Sequence, residues 1–130
     1  MARKSSKHPT ELELQILQVL WRDGESPGTA IRTALETDRP LTYQSVMTML
    51  GIMEDKGFVK RRKLGGQFRY RARVTEQATA KRMLRDVVDR LFGGSAAVAM
   101  TNLLETSDLT DEELDQLRQQ VMQSRKGGKS

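Results

Sequence analysis

Apolar positions recur at helical spacing through the first third of the chain and then shift to strict alternation. Leu12, Ile16, Leu17, Leu20 and Trp21 make one helical stripe. Thr10-Glu-Leu-Glu13 opens it as a capping box, and Asp23-Gly24 closes it where glycine can take a left-handed cap. Ser26-Pro27 predicts the start of a second helix with proline at its first position, burying Ala30, Ile31, Ala34 and Leu35. Arg39-Pro40 is a break. A third helix follows with Thr42 as N-cap, Val46, Met49, Leu50 and Met53 inward, and Lys56-Gly57 at its end. The period then shortens to two. Phe58 to Lys63 and Gln67 to Arg73 flank Leu64-Gly65-Gly66 and predict a β-hairpin, with Phe68, Tyr70 and Ala72 inward and Arg69, Arg71 and Arg73 outward.

The remaining chain returns to helical spacing. Residues 75–92 carry Ala80, Leu84, Val87, Val88 and Leu91, and Gly93-Gly94 interrupts them. Ser95 then caps a helix containing Val98, Met100, Leu103 and Leu104. Thr110-Asp-Glu-Glu113 is a second capping box, with Leu114, Leu117 and Val121 behind it at seam-like spacing. The fold class expected is mainly α with a small β-hairpin. It comprises a disordered basic arm (1–9), a winged helix-turn-helix head (10–73), a three-helix dimerisation tail (74–123) and a flexible end (124–130). A tail under 60 residues rarely buries enough apolar surface alone. Its stripes, with Leu84, Val88, Leu91, Leu114, Leu117 and Val121 foremost, therefore predict a homodimer interface.

Charge sharpens this division. The 130 residues carry a formal charge of +5 with a pI near 9.8, which favours a polyanionic partner. Residues 1–73 hold 14 Lys/Arg against 8 Asp/Glu, whereas residues 74–130 hold 8 against 9. The basic half is thus the candidate nucleic-acid half. With no cysteine and a single histidine, His8, thiolate metal sites and cysteine nucleophiles are excluded, and no metal or cofactor is expected. No apolar run approaches the ~20 residues of a membrane span, and the N-terminus lacks the apolar segment of a secretion signal. A soluble cytoplasmic protein without membrane insertion is the expectation.

The third helix carries the candidate chemistry. Its outer face presents Tyr43, Gln44, Ser45 and Thr48, all able to hydrogen-bond and none charged. Gln44 can make a bidentate contact with adenine, and Ser45 and Thr48 can meet base edges. Thr42, Tyr43, Lys60, Arg61, Arg62, Lys63, Arg69 and Arg71 are candidates for contacts with the DNA backbone, which position a head without specifying sequence. Strand alternation cannot aim all the basic residues at one duplex, so about half are expected to be solvated bystanders.

These motifs in their order resemble the penicillinase-repressor family of bacterial transcription factors. The resemblance spans residues 8–122. It rests on Leu20-Trp21 with Gly24, Tyr43 through Leu50 followed by Lys56-Gly57, Phe68-Arg69-Tyr70, Leu91-Phe-Gly-Gly-Ser95, and Leu109-Thr-Asp-Glu-Glu-Leu114 with Leu117-Arg118. It implies a winged-helix head, a tail that swaps around its partner, and repression at a palindromic double-stranded DNA operator. It further implies relief through a sensor-linked protease that cuts after an asparagine in the helix behind Gly-Gly-Ser, here at Asn102-Leu103. Three departures stand out: Leu103 replaces the phenylalanine of well-known members, Gly66 and Ile52 stand where arginines are frequent, and the cysteine-rich tail of the copper-responsive branch is missing. Copper sensing of that kind is therefore not expected.

Two other readings compete with a sequence-specific repressor. One is a non-specific architectural DNA-binding protein, separable by the ratio of specific to random affinity. The other is a helical interaction module whose basic half serves only solubility. An enzyme is not expected: there is no phosphate-cradling glycine motif and no paired carboxylates in a pocket, and Asp111, Glu112 and Glu113 are accounted for by helix capping.

Overall fold

The computed structural model describes residues 8–36 and 41–128, so the basic arm up to residue 7, the Arg39-Pro40 break and the last two residues lie outside it. Its elements are α1 (Glu11–Asp23), β1 (Ser26–Pro27), α2 (Gly28–Leu35), α3 (Tyr43–Lys56), β2 (Val59–Leu64), β3 (Gln67–Ala72), α4 (Glu76–Leu91), α5 (Ala96–Thr106) and α6 (Asp111–Gly128). This is a winged helix followed by a helical tail.

Local chemistry sets most helix ends. At the start of α1 both halves of the capping box form: the Glu13 amide donates to the Thr10 hydroxyl at 3.3 Å, and the Thr10 amide donates to the Glu13 carboxylate at 2.9 Å. Gly24 closes α1 with φ +81° and ψ −166°, so glycine is required there, though outside the left-handed helical region expected. Thr42 caps α3 by accepting from the Ser45 amide at 3.0 Å, and Gly57 ends it in the left-handed region at φ 88°, ψ 13°.

Ser26 and Pro27 differ from the expected helix start. They form a short strand that pairs antiparallel with β3, Ser26 opposite Tyr70 and Pro27 opposite Arg69. Extended backbone at Pro27 (φ −75°, ψ 162°) makes it the N-cap of α2 rather than its first turn. The Ser26 hydroxyl donates to the Gly24 carbonyl at 2.8 Å instead of capping. The hairpin thereby becomes a three-stranded sheet in the order β1-β3-β2. Directly behind, Gly28 packs against side chains of α3: a Cβ there would lie 2.7 Å from the Met47 sulfur, so the flexible Met47 side chain would have to shift.

The core of the head joins α1 to α3 and the root of the wing. Ile16, Leu17 and Leu20 meet Ile31, Leu35, Val46, Leu50, Met53, Phe58, Val59 and Tyr70. Among the positions expected in the helical core, Ala30 is exposed, and Leu12, Trp21, Ala34 and Met49 are half-buried. The Trp21 indole N–H donates to the Val74 carbonyl at 2.9 Å, tying the segment before α4 to α1. Thr79, on the first turn of α4, is also buried. The chain divides within α4 into two compact units, one running up to Arg85 and the other beginning at Asp86.

The second unit is unlike the first. Among its described side chains none is buried, although α5 and α6 carry many apolar residues. Ser95 caps α5 by accepting from the Val98 amide at 3.1 Å, and Thr110 and Glu113 complete the second capping box at the start of α6. α6 continues to Gly128, past the end expected at residue 123; Arg125 and Lys126 in its last turn suit the negative end of the helix dipole. No helix among the described residues is long and apolar enough to cross a membrane.

Candidate nucleic-acid interface

α3 is held along its buried face and at its C-terminal end. Val46, Leu50 and Met53 bury one face in the core, and Lys56 in the last turn reaches back to α1. Its ammonium lies 3.2 and 2.9 Å from the two carboxylate oxygens of Glu13, which is almost fully buried at 1% exposure. One carboxylate therefore caps α1 and fixes the far end of α3. Arg61 on β2 lies 3.4 Å from Glu54 and ties the wing to the same helix.

The opposite face of α3 is open. Gln44, Ser45 and Thr48 are exposed, as helical periodicity places them away from Val46 and Leu50. Gln44 and Thr48 make no side-chain hydrogen bond among the described residues. Ser45 accepts from the Thr42 hydroxyl at 2.9 Å, so the hydroxyl of Thr42 is already engaged as both donor and acceptor. Tyr43 is exposed at 46% and flanks the start of α2 at Gly28. Ile52, one turn beyond Thr48, continues the face and is exposed at 41%, and Gly51 beside it has only open space. The surface is thus uncharged and exposed over two turns.

Register divides the wing into two faces, because directly opposed residues point the same way. On one, Arg61 opposes Tyr70 and Lys63 opposes Phe68; on the other, Lys60 opposes Arg71 and Arg62 opposes Arg69. Tyr70 is buried, and that burial raises its phenol pKa above the ordinary value. Phe68 is not inward as expected. It is exposed at the wing, with the Arg61 guanidinium 4.3 Å and the Lys63 ammonium 5.5 Å from its ring centroid. The hairpin extends past the core there, leaving Lys60 through Leu64 all exposed. Gly65 and Gly66 both have positive φ, as a two-residue turn of type I′ requires.

The basic residues divide by partner. Arg62 forms a bidentate pair with Glu25, Nε at 2.7 Å and Nη2 at 2.9 Å, while Arg69 donates to the Glu25 backbone carbonyl at 3.2 Å. The hydrogen bond from Arg62 holds the Glu25 carboxyl below the usual carboxylate range, with Arg69 and Arg71 adding to the effect. Lys60, Lys63 and Arg71 make no ion pair among the described residues. Glu13, Glu25 and Glu54 are the positioning residues that local sequence patterns miss, since their cationic partners lie 43, 37 and 7 positions away.

In the tail, Leu84, Leu91, Leu114, Leu117 and Val121 are exposed and Val88 is half-buried. Asn102 and Leu103 lie in mid-α5, both exposed, with the Asn102 amide donating to the Val98 carbonyl at 2.9 Å.

Residues 9–123 match the family described as penicillinase repressor. The methicillin resistance regulatory protein MecI of Mammaliicoccus sciuri is 21% identical over 106 residues, covering 82% of this chain and 86% of that protein. The penicillinase repressor of Bacillus licheniformis is 23% identical over 110 residues, covering 85% and 86%. An uncharacterised 16.5 kDa protein of Latilactobacillus sakei is 24% identical over 110 residues, covering 85% and 75%.

Proposed function

The chain belongs to the penicillinase repressor family, a family of DNA-binding transcriptional repressors, and on that premise we propose that it acts as a homodimer on palindromic operators. The observation that carries this reading is the pairing of an open, uncharged face on α3 with a basic wing. Gln44, Ser45 and Thr48 read base edges in the major groove, with Ile52 at the end of the same face available to a thymine methyl. Lys60, Lys63 and Arg71 supply phosphate contacts, while Arg61 and Arg69 are held by Glu54 and the Glu25 carbonyl and steady the wing. Tyr43 approaches the backbone at the start of α3. Thr42 contributes by fixing Ser45.

Dimerisation is supported by the absence of any buried side chain among the described residues from 86 to 126. Helices with that much uncovered apolar surface gain stability from a second copy, and two linked heads gain effective concentration on two half-sites. Relief of repression is assigned to cutting at Asn102-Leu103. The bond lies within a regular helix, so a protease linked to a sensor must first unwind α5, which in a single protomer has no buried contact to oppose it.

Competition binding tests the reading. Operator-containing DNA is expected to outcompete random duplex by ~10³ or more at physiological salt. A ratio near one would instead support the architectural DNA binder, and no retention on either DNA would support the helical interaction module.

A further inference from the structure

Strand pairing in the wing places like charges directly against each other. Lys60 faces Arg71, and Arg62 faces Arg69. Such pairs destabilise a ladder. The carboxylate that answers them comes from outside the hairpin: Glu25, immediately before β1, takes Arg62 in a bidentate pair and offers its backbone carbonyl to Arg69. Pairing of Pro27 with Arg69 holds that segment against β3, so Glu25 is fixed beside the two arginines. The Glu25 side chain is 23% exposed and Arg62 is 60% exposed, so the acid sits inward and the guanidinium lies toward solvent.

We propose that Glu25 sets the strength of phosphate binding by the wing: it occupies Arg62 in place of a DNA phosphate and so limits the sequence-independent part of the affinity. This rests on the DNA-binding reading above. Non-specific affinity grows with each phosphate neutralised. A phosphate that displaces Glu25 from Arg62 leaves an unpaired carboxylate beside the duplex, which repels the backbone. In both arrangements the acid opposes phosphate binding on that face of the wing. Base contacts from α3 are untouched, so the effect falls on operator and random DNA alike and leaves the selectivity of Gln44, Ser45 and Thr48 unchanged.

The test is the affinity of the full chain for a random duplex across a salt series, for wild type, Glu25→Gln, Arg62→Ala, Arg71→Ala and Glu25→Gln/Arg62→Ala. Glu25→Gln is expected to bind random DNA about three- to tenfold more tightly at low salt, with the slope of log affinity against log salt steeper by about 0.9. Arg62→Ala is expected to lower the slope less than Arg71→Ala does in the wild-type background, and by about one unit in the Glu25→Gln background. An unchanged slope in Glu25→Gln overturns the assignment. So does an Arg62→Ala loss equal in both backgrounds. If Glu25→Gln fails to fold, the wild-type comparison decides alone, and an Arg62→Ala loss matching that of Arg71→Ala rejects the proposal. Wild-type protein without salt-dependent affinity would overturn the DNA-binding reading and, with it, this one.

Discussion

Glu13 answers two groups with one carboxylate: the Thr10 amide at the start of α1 and the Lys56 ammonium at the end of α3. Removing the ammonium strands a buried charge. Lys56→Met is therefore expected to cost about 3 kcal/mol in urea unfolding, the lower end for a buried pair because Lys56 keeps 21% of its side chain exposed. A loss under about 0.5 kcal/mol would mean the pair does not anchor the helix. Gln44 belongs to the opposite face, and Gln44→Ala is expected to lose roughly 1–3 kcal/mol on operator DNA while relaxing preference at one base pair. Equal loss on operator and random DNA would remove Gln44 from sequence readout. The capping role of Glu13 is legible because Thr10 stands three residues before it. Its second role is not, because only the folded core brings Lys56 to it across 43 positions.

At the scale of elements, the wing turn and the first strand show what periodicity can and cannot deliver. Leu64-Gly65-Gly66 marks the turn, and both glycines do adopt positive φ. Gly66→Ala meets no atom within 4 Å, so its effect is confined to the backbone and is expected to lower stability by about 1 kcal/mol in thermal unfolding. An unchanged melting temperature would indicate that the turn relaxes to another type. Ser26-Pro27 carries a helix-start signature that tertiary pairing overrides, since the free edge of β3 takes up the extended backbone of those two residues. Phe68 follows the alternation in the sequence, yet the wing reaches beyond the core at that point and its ring meets cations instead. Periodicity identifies which residues share a face. It does not say whether the face is covered.

At the scale of the whole molecule, the buried apolar residues among those described belong to the head, while the tail carries apolar stripes that its own described side chains leave uncovered. Leu117→Asp is expected to convert the sedimenting species from dimer to monomer, and an undiminished dimer would place the interface elsewhere. The charge division legible in the sequence fits the same plan, with the basic half forming the head and the near-neutral half the tail. In the proposed homodimer, symmetry ties oligomer to target, because two identical heads call for two inverted half-sites. Footprinting the purified protein on the promoter of its own gene tests that plan most directly. Protection of two inverted half-sites about one helical turn apart, or a multiple of it, at two chains per site is the predicted result. Even protection along the fragment, or a single half-site bound by one chain, would contradict it.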